Sequence, residues 1–339
     1  MTGYALLVLP AVNRVYGQAA PALTAAELAV FGATVLEGRV GDIGHRDIGG
    51  VSYVTFSAAD GLTDRNVRHL SNLSSAYALF ELADGSDALR PVVLHRLDRY
   101  DDDLLTIPRY TGKTNESFTK LLLNLALVCS TTARDRYLDA GDAVRVLDPL
   151  CGRGTTLHQA FMYGFDACGV EIDTKAVDAY ETFFVQWLQE KRIKHKVEQA
   201  RIRRDGKVIG HRTDIAVGAS KADLKAGAAS SVTVVNDDTR RTAEHFKRST
   251  FDVLVTDLPY GVQHKARVLV GEALPVWVQV LKPGAGVALG WNTRVLKRAD
   301  LVAQLSDAGL EVLDAPPFDR FAHRVDRTIH RDVVVARRA

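Results

Sequence analysis

The apolar positions in the first third of the chain fall into short blocks separated by turn residues. Residues 4–9 read as a buried strand, and Thr24-Ala-Ala-Glu27 has the capping-box spacing that opens an amphipathic helix to about Leu36. A Gly49-Gly50 pair precedes an alternating strand at 51–56, Asp60 or Thr63 can cap a second helix through Leu70, and 77–82 and 92–97 are further strand candidates. This succession suits a split βαβ sandwich of the ferredoxin-like kind. The run Asp101-Asp102-Asp103 is too acidic for a core and reads as a linker, giving an N-terminal α+β domain at 1–105 and a second domain at 106–339.

Beyond the linker the pattern changes. Phe118, Leu121, Leu122, Leu125 and Val128 recur at helical spacing after Thr114-Asn-Glu-Ser117. Strand-like runs at 144–147, 167–170, 232–235, 253–256 and 287–290 then alternate with helical patterns from Thr155, at 175–190, near Thr242, at about 268–281 and at 296–307. Such alternation predicts an α/β fold, a Rossmann-like parallel sheet covered on both faces. The last two strand candidates, 310–313 and 332–336, have no helical pattern between them and read as an antiparallel pair at the sheet edge. One basic segment, about 191–231, interrupts the alternation, with Asp205-Gly206 placed as a hairpin turn. It is either a solvated surface hairpin or a phosphate-contacting insertion.

Composition narrows the class only a little. With 339 residues, 47% hydrophobic and 25% charged, the chain is an ordinary globular protein, and a net charge of +2 does not by itself indicate nucleic-acid binding. Three unevenly spaced cysteines, Cys129, Cys151 and Cys168, without C-x-x-C, argue against a structural zinc site and a cross-linked secreted fold. No apolar run is long enough to span a membrane, so a reducing cytoplasm is the expected compartment, with no metal and no membrane partner. The oligomeric state is not readable.

The chemistry gathers at strand ends. The strand at 144–147 runs into Asp148-Pro-Leu-Cys-Gly-Arg-Gly-Thr-Thr156 and then a helix, where Pro149, Cys151, Gly152, Gly154 and Thr155 would form a ligand-binding turn. Leu157 stands where a nicotinamide fingerprint needs its third glycine, and no G-K-[ST] is present to cradle a triphosphate. A carboxylate at Asp148 would repel a pyrophosphate but attract a cationic amino-acid moiety, which fits S-adenosylmethionine. Glu171, followed by Ile172 at the end of the next strand, is placed for ribose hydroxyls, and Asp238 after the third for the adenine amino group, with Asp237 beside it in the cofactor site and apolar neighbours against the ring. Each acid alone could be a turn or helix cap; three in register on successive strands make a stronger pattern. Cys151 inside the glycine turn reads as a small space-filling residue rather than a nucleophile.

The fourth strand ends in Asp257-Leu258-Pro259-Tyr260, then Gly261. Together with D-P-L-C-G-R-G-T and V-E-I-D, this tetrapeptide resembles the class I methyltransferases that modify exocyclic or amide nitrogens, whose fourth motif is [DN]-P-P-[YF]. Within them the chain is most similar to the THUMP-associated tRNA guanine-N2 methyltransferases, which carry D-L-P-[YF]-G. An upstream Y-x-G-x-T-N segment is also shared, here Tyr110-Thr-Gly-Lys-Thr114-Asn115 with Leu121-Leu-Leu-Asn-Leu-Ala126 after it. The resemblance covers about 108–339 and implies S-adenosylmethionine as methyl donor, with Thr114 and Asn115 near it, and RNA, most readily tRNA, as partner.

Those residue types suit the reaction. The lone pair of an exocyclic amine is delocalised, so an acceptor pair must localise it in line with the methyl group. Asp257 and the Leu258 carbonyl can each accept one amine hydrogen, Pro259 stiffens the turn, and Tyr260 offers a face for base stacking. Arg240 and Lys265, with Arg201, Arg203 and Arg204 on the basic hairpin, could line a phosphate path, or be solvated surface charges. The leading expectation is N-methylation of guanine N2 in RNA. Adenine N6 or a peptide or small-molecule nitrogen remains as an alternative target, and a non-catalytic module binding S-adenosylmethionine or nucleic acid as an alternative class. The family carries a ferredoxin-like piece and a THUMP domain ahead of its catalytic domain, and about 105 residues here have room for the first.

Overall fold

The computed structural model describes residues 1–10, 14–83, 87–139, 144–226, 230–259 and 263–339. Its first part is built from β1 (Thr2–Val8), α1 (Arg14–Thr34), β2 (Val40–Ile48), β3 (Val51–Ala58), α2 (Asp64–Leu70), β4 (Ala76–Leu82) and β5 (Leu89–Val92). The strands form an antiparallel sheet in the order β2-β3-β1-β4-β5. The first four strands with their two helices have the ferredoxin-like βαββαβ arrangement, and β5 is added at one edge.

Three local expectations need correction. Thr24 and Glu27 do not cap a helix: α1 starts ten residues earlier, and Thr24 Oγ1 donates back to the Ala20 carbonyl at 2.7 Å within it. Glu27 is fully buried and accepts from the Ser74 amide at 2.9 Å, the Ser74 hydroxyl at 2.6 Å and Asn124 Nδ2 at 2.7 Å. That Thr-x-x-Glu spacing therefore places a helix face, not a helix start. Gly49 and Gly50, both at positive φ, turn β2 into β3, a strand pair that the reading of 51–56 alone lacked. The strand expected at 92–97 ends at Val92; beyond it the His95 and Leu97 amides donate to Ser71 Oγ and Asn72 Oδ1.

After a short turn, α3 (Asp103–Thr106), comes α4 (Glu116–Cys129), capped by the Asn115 side chain accepting from the Phe118 amide. The larger sheet then forms from β6 (Arg145–Asp148), β7 (Asp166–Glu171), β8 (Lys194–Arg204), β9 (Lys207–Gly218), β10 (Ser230–Asn236), β11 (Phe251–Asp257), β12 (Leu281–Asn292), β13 (Leu310–Leu313), the two-residue β14 (His323–Arg324) and β15 (His330–Arg338). Its order is β13-β15-β12-β11-β6-β7-β10-β9-β8, and β14 pairs with β15. The five strands from β12 to β10 are parallel, as their nearly continuous apolar runs require when both faces are covered. Strands β13 and β15 form the expected antiparallel edge.

Helices α5 (Thr155–Met162) and α6 (Thr174–Glu190) cover one face with α4. A short α7 (Lys221–Ala226) follows β9. The other face is covered by α8 (Thr242–His245), α9 (Gln263–Val280) and α10 (Arg298–Asp307), whose Trp277, Leu301 and Leu305 are fully buried. The basic segment is a hairpin turning at Asp205 and Gly206, both at positive φ; β9 pairs antiparallel with β10, so the hairpin extends the main sheet. Among the described residues no helix is long and apolar enough to cross a membrane.

Candidate active site

The loop after β6 is held by the strand beside it. The Cys151 amide donates to the Val170 carbonyl at 3.1 Å, the Gly152 amide to Glu171 Oε2 at 2.9 Å, and the Gly154 amide to the Cys151 carbonyl at 2.7 Å. Gly154 has a φ of 77°, and a Cβ there would lie 2.2 Å from the Tyr180 ring, so both conformation and contact demand glycine. At Gly152, with a φ of 51°, a Cβ would point into open space, where a ligand can approach the backbone. Glu171 also accepts from the Asp173 amide at 2.8 Å, which fixes its carboxylate at the end of β7.

Asp148 lies under this loop with 3% exposure. Burial pushes its carboxyl up to about 6, against the Thr156 and Thr256 hydroxyls and the Leu150 amide, which favour the charged form. Among the described residues no lysine or arginine pairs with it. Burial, reinforced by Asp148 and Glu171, holds the Cys151 thiol well above its ordinary range, so it is not a thiolate nucleophile. Thr155 shares a hydrogen bond with the Tyr110 hydroxyl at 3.1 Å, and the Arg153 guanidinium stacks over the Tyr110 ring at 4.9 Å.

Asp257 faces the same space from the end of β11. One cavity of about 290 Å³ is lined by Asp148, Gly152 and Thr155 on one side and by Asp257, Leu258 and Pro259 on the other, with Tyr110 and Thr114 closing it. Thr114 Oγ1 donates to Asp257 Oδ2 at 2.8 Å, and Arg331 Nη2 reaches the same oxygen at 3.1 Å. The Leu258 amide is used by the Gly290 carbonyl at 2.8 Å. A Cβ on Gly290 would approach Asp257 Oδ1 to 2.9 Å, so that glycine makes room for the carboxylate. Burial raises the Asp257 carboxyl above its ordinary value, opposed by Arg331, the Thr114 hydrogen bond and His323.

Residues 136–305 match the family model for the RMKL-like methyltransferase domain. The chain belongs to that family. It is a class I, S-adenosylmethionine-dependent methyltransferase, as the motif resemblance implied. No curated protein matches the chain. TrmN from Thermus thermophilus is 14% identical, covering 100% of both chains at a TM-score of 0.47. An rRNA methylase from Streptococcus thermophilus is 12% identical, covering 58% of this chain and 87% of its own at 0.34. A TehB-like SAM-dependent methyltransferase from Corynebacterium glutamicum is 14% identical, covering 60% of this chain and 86% of its own at 0.36.

Pro149 is buried in the loop and Ile172 is 68% exposed beside Glu171. Asp237 is engaged by His245 Nε2 at 2.8 Å and Arg204 at 3.2 Å, while Asp238 caps the turn after β10 and binds the Arg240 guanidinium. Arg240 also reaches Glu272 at 2.8 Å, and Arg204 reaches Glu244 at 2.9 Å. These two arginines are thus tied to carboxylates, whereas Arg201 and Arg203 are exposed. Asn115 caps α4 rather than lining the main cavity. Tyr260 and the Lys265 side chain lie outside the described residues.

Arg331 escaped the reading of the sequence. Its only signal there is a charged residue at the mouth of the apolar run of β15, 74 positions from its partner. Contact depends on β15 lying beside β12, which itself lies beside β11.

Proposed function

We propose that this methyltransferase acts on an exocyclic amino group, guanine N2 of RNA being the reading its residues support best. The observation that carries it is a largely enclosed carboxylate, Asp257, whose side chain is 12% exposed and which shares one cavity with the glycine loop and with Asp148. The residues present fit S-adenosylmethionine: open backbone at Gly152, a preset carboxylate at Glu171 for ribose hydroxyls, and at Asp148 a buried anion for a cation. The donor supplies a methyl group on a positively charged sulfur.

Asp257 accepts a hydrogen from the amine, and the Leu258 carbonyl accepts the other, concentrating the nitrogen lone pair along the line of attack. The Asp257 carboxylate would stabilise the positive charge that methylation places on the amine nitrogen. The surplus proton then passes to Asp257, whose raised proton affinity suits it for that step. Asp237 or Asp238 contacts the adenine, Thr114 orients Asp257, and Tyr260 stacks on the base. Residues 1–105 form an α+β domain that takes part in substrate recognition, the exposed Arg201 and Arg203 touch RNA phosphates, and the enzyme works in the cytoplasm.

Radiolabelled methyl donor offered with total RNA, genomic DNA and cell protein separately, followed by nucleoside analysis, tests the reading. Label in N2-methylguanosine is expected. Asp257→Ala should keep donor affinity and lower turnover by at least about a hundredfold; equal loss of both, or label only in protein, refutes it.

A further inference from the structure

A second, smaller cleft lies at Arg331, the ion-pair partner of Asp257. It encloses about 70 Å³ and is lined by Tyr16, Lys113, Asn115, His323, Arg324 and Arg331, with Val325 completing the wall. Three lining side chains are permanent cations and none is a carboxylate. Lys113 is paired with Glu116 and Arg331 with Asp257, while the Arg324 Nε donates to the Asp326 carbonyl at 3.1 Å. The cap of the 14-residue helix α4, Asn115, stands in the same wall, which adds the positive end of a helix dipole.

An independent observation concerns His323, which is 7% exposed. Its Nδ1 lies 2.8 Å from the Phe321 carbonyl and so carries the proton. Its Nε2 is buried and has no hydrogen-bond partner among the described residues. A buried polar atom without a partner is costly unless a ligand or water meets it. Burial lowers the proton affinity of this imidazole; Asp332 and Asp257 oppose that and His330 adds to it. An anion in the cleft reverses the balance, because a proton added to Nε2 is donated to the anion.

The two sites are joined. Arg331 lines the cleft and holds Asp257, and Lys113 and Asn115 flank Thr114, which lines the main cavity and bonds the same carboxylate. Arg324 is shared with a wider depression of about 520 Å³ that also presents Arg327, Gln18 and Asp326, whose carboxylate accepts from the Thr328 and Ile329 amides. A group held here therefore sits one side chain, Arg331, away from Asp257, and two arginines, Arg324 and Arg327, line the depression beside it.

We propose that this cleft binds one phosphate of an RNA chain whose neighbouring base faces Asp257, so that the acceptor is a nucleotide within a polymer rather than a free base or a peptide. The inference rests on the amine-methylation reading and specifies its substrate.

The full-length protein labelled with 15N-histidine is titrated with inorganic phosphate, and the KM for oligoribonucleotides that it methylates is measured in parallel. Phosphate should shift the His323 ring signals, and Arg324→Ala should weaken that response and raise the KM by about tenfold each while kcat and donor affinity hold. His323→Asn supplies the signal assignment and should raise the KM as well. An unmoved His323 signal, or a shift with an unchanged KM in Arg324→Ala, overturns the proposal. The two readings fail separately. A fully active Asp257→Ala enzyme whose His323 still responds to phosphate removes the amine chemistry alone, and an inactive Asp257→Ala enzyme whose His323 ignores phosphate removes the cleft alone.

Discussion

Replacing Asp148 with Asn should make the ligand-free protein more stable and a poorer methyl-donor binder. The carboxyl is buried and titrates at about 6 instead of the ordinary 3.8. Because its folded value is raised, the protonated form is favoured on folding; that advantage is complete below the unfolded value and lost as pH rises through about 6. The difference, at about 1.36 kcal/mol per tenfold change in proton affinity, comes to about 3 kcal/mol of destabilisation at pH 7. Asparagine keeps the shape and an acceptor for the Leu150 amide, 3.1 Å away, without the charge. Urea unfolding of the two proteins at pH 4 and pH 7 should therefore show a gap in favour of the variant that approaches 3 kcal/mol only at the higher pH.

Donor binding moves in the opposite sense. A charged hydrogen bond contributes about 1.5–3 kcal/mol, so the variant should bind S-adenosylmethionine about ten- to a hundredfold more weakly at pH 7. Wild-type affinity should fall below pH 6 as Asp148 takes up its proton, with protons released on binding, whereas the variant's affinity should be flat. Calorimetry in two buffers of different ionisation enthalpy reads both. Unchanged donor affinity in the variant, or equal stability gaps at the two pH values, would refute the assignment of Asp148 as the anion awaiting a cation.

Arg331→Met keeps packing against the Phe118 ring, 4.4 Å from the guanidinium, but leaves the Asp257 carboxylate without its counter-ion. Removing one partner of a buried pair costs about 3–5 kcal/mol. Thermal unfolding should show that loss shrinking as acidification protonates Asp257, and a loss independent of pH would exclude this cause. Gly154→Ala, with its Cβ directed into the Tyr180 ring at a φ of 77°, should destabilise the protein by about 1–3 kcal/mol and abolish measurable donor binding in a calorimeter. Arg201→Gln with Arg203→Gln should lower the slope of log affinity for single-stranded RNA against log salt by about 0.7 for each phosphate no longer neutralised. Arg204→Gln, by contrast, should lower the melting temperature, because Arg204 bridges Asp237 and Glu244.

The parallel half of the fold was legible because its strands are buried on both faces and each ends at a chemically marked turn. Val232, Val234 and Val235, or Val253, Leu254 and Val255, leave little alternative to a covered strand. The elements that sequence misassigned lack that redundancy. Strand β2, with glycines at 41 and 44, a register shift between them and Ile48 as its single buried residue, has no apolar alternation to detect. Helix α1 carries Pro21 inside it and a false capping signal at Thr24, so its first turns look like a loop. At the site, the glycine loop and Asp257 could be located from local motifs. Arg331 and His323 could not, since what brings them to Asp257 is the order of β15, β12 and β11, a tertiary fact that no local pattern encodes.

The two acids of the cavity, Asp148 and the slightly more open Asp257, differ in a way that bears on their work. Asp148 and Asp257 close adjacent parallel strands, and burial raises both. Asp257 already has Arg331 at 3.1 Å and Thr114 at 2.8 Å on one oxygen, so its charge is partly compensated and its position fixed before a ligand arrives. Such a carboxylate suits a group whose positive charge appears only during reaction, because it is oriented in advance and retains acceptor capacity. Asp148 has hydroxyl and amide partners but, among the described residues, no cation. An uncompensated buried anion favours a ligand that arrives already charged. If the roles were exchanged, a preformed cation would meet a carboxylate already neutralised by arginine, and the developing charge would meet an acid held partly protonated without a counter-ion. The placement of Arg331 therefore favours the proposed arrangement, with the donor on the β6 side and the amine on the β11 side, and exchanging the phenotypes predicted for Asp148→Asn and Asp257→Ala would reverse it.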